Sequence, residues 1–221
     1  DYRSSRGLGD VYKRQVYTRE EIEEIVSIAI EHDLWIISDE IYSRLIWNGG
    51  EHVSPATIEG GKERTIVISG WSKTWAMTGM RVGFLAGPEQ AVRAAVKCQA
   101  NSASHIPTFM MEAARVALDC DDHVERFSDA YRHRRNLIVQ GLEDIPGLRI
   151  VNPEGAFYLF IDVTGTGMSD VQFADGALKA GVQLIPASLI TGGEGFIRVS
   201  YAASEEDIKE GIIRLRSWLL E

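Results

Sequence analysis

Ser69-Gly70-Trp71-Ser72-Lys73-Thr74-Trp75-Ala76-Met77-Thr78-Gly79-Met80-Arg81-Val82-Gly83-Phe84 sets one lysine and one arginine eight residues apart in a run of small and aromatic residues. The apolar run Thr65 to Ser69 leads into it and the run Val82 to Ala86 leads out, each of a length that suits a buried strand. Lys73 therefore falls just past a strand end, in a glycine-marked turn, where partial desolvation turns a lysine from a solvated cation into an amine nucleophile. A lysine alone is most often a surface cation, and an arginine after a turn is most often a salt-bridge partner. What changes that reading is their combination with residues elsewhere in the chain.

The first such residues lie upstream. Leu34-Trp35-Ile36-Ile37-Ser38 is a continuous apolar run, which predicts a parallel strand covered on both faces. Its end is polar, with Asp39, Glu40 and Tyr42. Thr65 to Ser69 repeats the pattern of an apolar strand followed by polar residues, so Asp39 and Lys73 are expected to face one crevice at the strand ends, where open α/β sheets bind ligands. Ahead of both strands, Thr18 with Glu21 three residues on forms a capping box, and Ile22, Ile25, Val26, Ala29 and Ile30 make the buried stripe of a helix ending near His32.

Downstream, Glu89 to about Ala100 reads as a helix with Ala91, Val92, Ala95 and Val96 inward, and a second helix runs from about Thr108 to Leu118. Asp122 to about Leu142 is long, charge-rich and helical in period, with Phe127, Tyr131, Leu137 and Ile138 on its apolar side; it reads as a bridge between domains. The remainder alternates differently. Short strands are expected at Leu148 to Val151, Ala156 to Asp162, Val182 to Ile185 and Phe196 to Ser200, with helices around Ser169 to Ala180 and Ser204 to Leu220. Ser169 with Gln172 and Ser204 with Asp207 are capping signals, and Gly181 suits a helix C-cap.

Composition narrows the function. The 221 residues, 45% of them hydrophobic, are ample for a buried core. A formal charge of -9 argues against nucleic acid or an anionic membrane as the partner, while leaving room for a local basic pocket that takes a small anion. Cys98 and Cys120 show no CxxC spacing and the five histidines no HxxxH spacing, so neither a disulfide framework nor a metal site is expected, and a reducing, cytoplasmic setting fits best. No apolar run approaches the ~20 residues a membrane span needs.

If Lys73 takes an aldehyde cofactor as a Schiff base, that cofactor needs an anion clamp, a ring-nitrogen partner and a ring-oxygen partner. Arg81 and Ser72 suit a phosphate, Asp39 a protonated pyridine nitrogen, and Tyr42 a ring oxygen. Glu40 reads as structural, and Trp35, Trp71 and Trp75 as packing. Ser-Asp-Glu-Ile-Tyr at 38 to 42, Ser-Lys-Thr at 72 to 74 and Met-Thr-Gly-Met-Arg-Val-Gly-Phe at 77 to 84 together resemble the class I/II aminotransferases, fold-type I enzymes dependent on pyridoxal 5'-phosphate (PLP). Pro153 to Tyr158 and Phe196 to Ala202 continue the resemblance, which covers about Val16 to Glu221.

The resemblance implies an α/β fold: part of the large-domain sheet, a three-layer αβα arrangement, over residues 16–124, then a small α+β C-terminal domain over 125–221 that includes the bridging helix. It implies that Lys73 is the Schiff-base and proton-shuttling residue, Asp39 the pyridinium partner, Tyr42 the ring-oxygen partner, Ser72 and Arg81 phosphate ligands, and Arg198 the holder of the substrate α-carboxylate. The implied substrates are an amino acid and a 2-oxo acid, and the implied assembly of the parent enzyme is a homodimer.

The pattern breaks at the start. The family places Asn-Pro-Thr-Gly before the helix at Val16, where this chain has Lys13-Arg14-Gln15. Residues 1–15 are basic and aperiodic and read as foreign or disordered sequence joined to the C-terminal part of such an enzyme. On that reading this chain alone binds PLP weakly and turns over little. Two alternatives stay open: a PLP-dependent carbon-sulfur β-lyase on the same scaffold, told apart by pyruvate and ammonia release from a cysteine conjugate, and a non-catalytic interaction or dimerisation module using an exposed sheet edge. A nucleotide-binding α/β domain has little support, since no GxGxxG or GxxxxGK[ST] follows a strand.

Overall fold

Helix α1 (Arg19–Glu31) opens on the reciprocal capping box expected of Thr18 and Glu21, each side chain bonding the other's backbone N–H. Its far end is closed by Arg64, whose Nη1 donates to the carbonyls of Ala29 and Leu34, both at 3.0 Å. That guanidinium gives the Ala29 carbonyl at the helix end a donor besides Leu34 N–H and ties it to the segment that leads into the next strand. The computed structural model describes residues 16–47, 49–190 and 192–220. The expectation for residues 1–15 lies outside the described residues.

The chain divides into two units. The first takes Tyr17–Ile46 and Gly50–Phe127; the second takes Val16, Trp47–Gly49 and the chain from Ser128 onward. In the first, strand β1 (Ile36–Asp39) pairs in parallel with β2 (Thr65–Gly70), and β2 pairs antiparallel with β3 (Gly83–Ala86). One helical turn, α2 (Trp71–Thr74), follows β2 without a gap. Helices α3 (Glu89–Ser102), α4 (Thr108–Ala117) and the start of α5 (Asp121–Leu142) complete the unit. Gly70 is needed where β2 meets β3, because a Cβ there would sit 2.7 Å from the Val82 carbonyl oxygen and 2.9 Å from Gly83 Cα.

Three expectations are corrected in this unit. The first strand starts at Ile36, leaving Leu34 and Trp35 exposed before it, and it is not covered on both faces: Ile37 is 69% exposed. Period-two alternation explains the split, since Ile36 and Ser38 share the half-covered face and Ile37 the bare one. In α1 the buried stripe narrows to Ile22, Val26 and Ala29, with Ile25 and Ile30 exposed. In α3 no residue is buried, and Val96 is exposed rather than inward; spacing reports which residues share a face, not whether anything lies against it.

The second unit is a four-stranded antiparallel sheet in the order β4 (Arg149–Val151), β5 (Tyr158–Asp162), β7 (Phe196–Ser200), β6 (Ile185–Pro186). Strand β6 begins at Ile185, later than the hydrophobic run from Val182 suggests. Helix α6 (Asp170–Lys179) has the capping box of Ser169 and Gln172 and ends in the bonds expected around Gly181: Val182 N–H to Ala177 O and Gly181 N–H to Leu178 O, with Gly181 at φ +85°. Those two bonds and the left-handed glycine make a Schellman motif. At α7 (Glu205–Leu220) the Ser204 hydroxyl caps Asp207 N–H at 3.0 Å and itself donates to the Asp207 carboxylate.

Leu159, Phe160, Ile161, Ile197, Phe173 and Tyr201 are almost wholly removed from solvent and form the core of the second unit. Trp218 packs edge-on against Phe173 at 5.0 Å between ring centroids, over a space that a Cβ on Gly176 would fill. Trp47 is tied into the same unit. Its indole N–H donates to Ala156 O at 2.8 Å, an acceptor it shares with the Tyr201 hydroxyl.

Candidate functional site

Two parallel strand ends set the scene. Asp39 closes β1 in register with Ile68 of β2, and β2 runs two residues further to Gly70 before turning into α2. Asp39 and Tyr42 leave one strand end, Ser72 and Lys73 the other, and the C-terminal ends of adjacent parallel strands are where α/β sheets place ligands. The Lys73 ammonium lies 5.9 Å from the centroid of the Tyr42 ring, and Lys73 is half-buried.

The backbone on each side holds these groups. The Asp39 carboxylate accepts from Ile41 N–H at 3.2 Å, bending the chain after β1. On the other side Trp71 N–H donates to Val82 O, and Ala76 N–H and Met77 N–H return to Lys73 O and Trp71 O, which closes the turn over α2. Trp71 anchors it: its indole donates to Ala114 O at 2.8 Å and its ring meets Trp75 and Phe84, each at 5.8 Å.

Arg81 belongs to the same loop. The Thr78 hydroxyl donates to Ser72 O at 3.3 Å, drawing the loop back to α2, and Arg81 follows a 3-10 turn over Thr78–Met80 with its backbone at φ 54°, ψ 40°. Ala76 shares that left-handed conformation at φ 53°. A side chain makes this region unfavourable, so two such residues five positions apart mark a loop held by its surroundings rather than by propensity. The Arg81 side chain is exposed and uses Nη1 to donate to Thr78 O at 2.9 Å.

Glu40 and His52 form a cluster beside these residues that spacing did not single out as a unit. The Glu40 side chain, 12% exposed, accepts from the hydroxyls of Ser54 at 2.5 Å and Ser38 at 3.1 Å and faces His52 Nε2 at 3.1 Å. Burial pushes the carboxyl up, but His52, Ser54 and Ser38 outweigh it and hold the group below the ordinary glutamate range. The sequence signal was His52-Val53-Ser54-Pro55, a histidine and a serine just ahead of a proline turn.

Arg198 lies in the second unit, on β7, opposite Phe160 and Ile185. Its guanidinium sits 4.7 Å from the centroid of the Tyr158 ring, a cation-π contact. Tyr158 in turn meets Phe157 at 4.7 Å, and Phe157 stacks on Tyr131 at 5.2 Å. Burial pushes the Tyr131 phenol up. The first unit thus gathers Asp39, Tyr42, Ser72, Lys73 and Arg81, and Arg198 is carried by the second.

A family profile described as aminotransferase class I and II matches residues 15–215. Over 211 residues the chain is 41% identical to aromatic-amino-acid aminotransferase 2 of Thermococcus litoralis and 39% identical to aspartate aminotransferase of Pyrococcus abyssi, in each case over 93% of this chain and 54% of the relative. The solved structure of an aromatic aminotransferase from Pyrococcus horikoshii superposes with a TM-score of 0.90 at 39% identity, over 94% of this chain and 57% of that one. The chain spans about half the length of the curated relatives it matches.

Proposed function

The chain belongs to the class I and II aminotransferases, and on that premise we propose that it carries the cofactor-anchoring residues of an enzyme moving an amino group from an amino acid to a 2-oxo acid. The observation that carries the reading is the meeting of Tyr42 and Lys73, 5.9 Å from ring to ammonium, beyond the ends of two parallel strands of which one ends in Asp39. An amine, a carboxylate, a phenol, a hydroxyl and a guanidinium are the complement of PLP, which presents an aldehyde, a pyridine nitrogen, a ring oxygen and a phosphate. The donor set fits the group.

Lys73 would hold the aldehyde covalently through its amine, Asp39 would keep the ring nitrogen protonated, Tyr42 would bond the ring oxygen, and Ser72 and Arg81 would take the phosphate. When bound, PLP supplies an electron sink for the pair left at the amino acid's α-carbon. The free Lys73 amine would be the base that takes the α-proton and later returns it. Arg198 offers a planar fork for the substrate α-carboxylate, and the Tyr158 ring beneath it restrains the guanidinium's tilt.

This reading carries with it a homodimeric, cytoplasmic parent enzyme. No helix among the described residues is long and apolar enough to cross a membrane. The test is amino transfer by the chain in excess PLP, followed as a new amino acid formed from a supplied 2-oxo acid. Lys73→Ala is expected to abolish the product, and Arg198→Lys to raise the KM for the amino acid by roughly tenfold or more with less effect on kcat, since lysine loses the two-pronged grip. Product formation that survives Lys73→Ala contradicts the reading.

A further inference from the structure

Glu40 stands between Asp39 and Tyr42 and is bonded through every part of itself. Its N–H donates to Ile68 O at 2.8 Å, continuing the β1–β2 ladder, and its carbonyl accepts from the Ser69 hydroxyl at 3.2 Å and from Ser43 N–H at 3.1 Å. Its carboxylate collects Ser38, Ser54 and His52. Three stretches of the first unit meet here: the end of β1, the end of β2 one residue before Gly70, and the loop that carries His52 and Ser54.

We propose that Glu40 is a positioning residue, whose carboxylate pins the His52–Ser54 loop to the end of β1 and so fixes where Asp39 and Tyr42 aim. The inference rests on the roles proposed above for Lys73, Asp39 and Tyr42. A mostly buried carboxylate is costly unless its oxygens are bonded, so once Ser54, Ser38 and His52 are in place the segment resists rotation about β1's end. Rotation there would carry Asp39 and Tyr42 with it, because they flank Glu40 on a four-residue stretch. The Ser69 bond gives the same residue a hold on the strand that leads into the Lys73 turn.

The test compares Glu40→Ala, Glu40→Gln and, as a control for lost stability in the same unit, Val26→Ala in the α1 core, where Val26 is 1% exposed. Each full chain is titrated with PLP, the bound cofactor is followed by its visible circular dichroism and by the pH midpoint of its visible absorbance, and thermal unfolding is recorded beside them. Glu40→Ala is expected to weaken PLP binding about tenfold and to move the pH midpoint, because Asp39 and Tyr42 no longer hold their aim. Val26→Ala is expected to lower the unfolding temperature and leave the midpoint where it was. Glu40→Gln falls between, since its amide oxygen still accepts from Ser54 and Ser38.

His52→Ala, which leaves both serine bonds in place, carries the same comparison where Glu40→Ala does not fold, with a midpoint shift in the same direction. A wild-type chain that loads PLP on Lys73 while the Glu40 and His52 variants leave the midpoint unmoved overturns the positioning role alone. A wild-type chain that takes no PLP on Lys73 overturns the proposed site and this inference with it.

Discussion

The two units bury their apolar residues to different degrees. Among the large side chains that are fully buried, Leu45, Val26 and Thr65 belong to the first unit, while Phe160, Tyr201, Leu159, Phe173 and Ile197 are among those of the second. Both units expose large apolar residues, Ile37, Ile68, Phe84, Phe109 and Val96 among them in the first and Leu178, Leu189 and Ile213 in the second. The unit that holds Lys73, Asp39, Tyr42 and Arg81 has the thinner core, and polar anchors do more of its local ordering: Glu40 with its three donors, Arg64 over the end of α1, Trp71 on Ala114 O. In the second unit packing dominates, with polar bonds inside the core, where Trp47 and Tyr201 share Ala156 O, as well as at the edge of the sheet, where Arg149 pairs with Asp162.

That contrast predicts unequal responses to loss of apolar volume. Leu159→Ala is expected to cost about 2–5 kcal/mol through lost transfer energy and the cavity left behind, read as a fall in the denaturant midpoint of the second unit. Ile37→Ala, at a site 69% exposed, is expected to stay within about 0.5 kcal/mol of the parent. Equal losses at the two positions would break the comparison.

Gly70→Ala sharpens it from the backbone side. The new Cβ meets Val82 O and Gly83 Cα, which are main-chain atoms and cannot swing away, so a cost of about 1–3 kcal/mol is expected. The effect belongs to the first unit and reaches the Lys73 turn through Trp71 N–H, whose acceptor is the same Val82 O. Hydrogen exchange at Trp71 and Val82 checks it, with faster exchange expected there and none in β5 or β7.

Acid separates the units by a smaller margin. Glu40 in the first and Asp162 and Asp170 in the second are all held below their ordinary values, in each case because hydrogen-bond partners outweigh burial. A depressed carboxylate contributes stability that is present above its unfolded value and is lost as pH falls through its folded value. The first unit therefore begins to weaken below the ordinary glutamate value of 4.5, and the second below the ordinary aspartate value of 3.8. Glu40→Gln is expected to reduce the first unit's loss by no more than one proton's contribution to the slope, with Glu20 and Glu112 still held low, and to leave the second unit's unchanged. Unfolding midpoints measured across that range check the sign.

Elements whose causes are local were legible in the chain. Thr18 with Glu21, Ser169 with Gln172 and the glycine at 181 form the caps their spacing predicts, because a cap is made within one turn of helix. Strand β2 and the turn at Lys73 were likewise readable from an apolar run and a glycine. The bare face of β1 and the uncovered α3 were not, since a hydrophobic pattern says which residues share a face and is silent on what lies against it. For the site, the sequence motif brought Asp39, Tyr42, Ser72, Lys73 and Arg81 to attention. It passed over the bonding of Glu40 to His52 and Ser54, a contact closed across an irregular loop with no period to read.

Lys73, and no other lysine of the chain, is the amine proposed to take an aldehyde cofactor. Reducing the PLP-treated chain with borohydride and mapping the modified peptide by mass spectrometry tests it directly. The label is expected on the peptide containing Lys73 and is expected to be lost in Lys73→Ala; a label spread over Lys13, Lys62, Lys97, Lys179 and Lys209 with Lys73 unmarked would overturn the assignment.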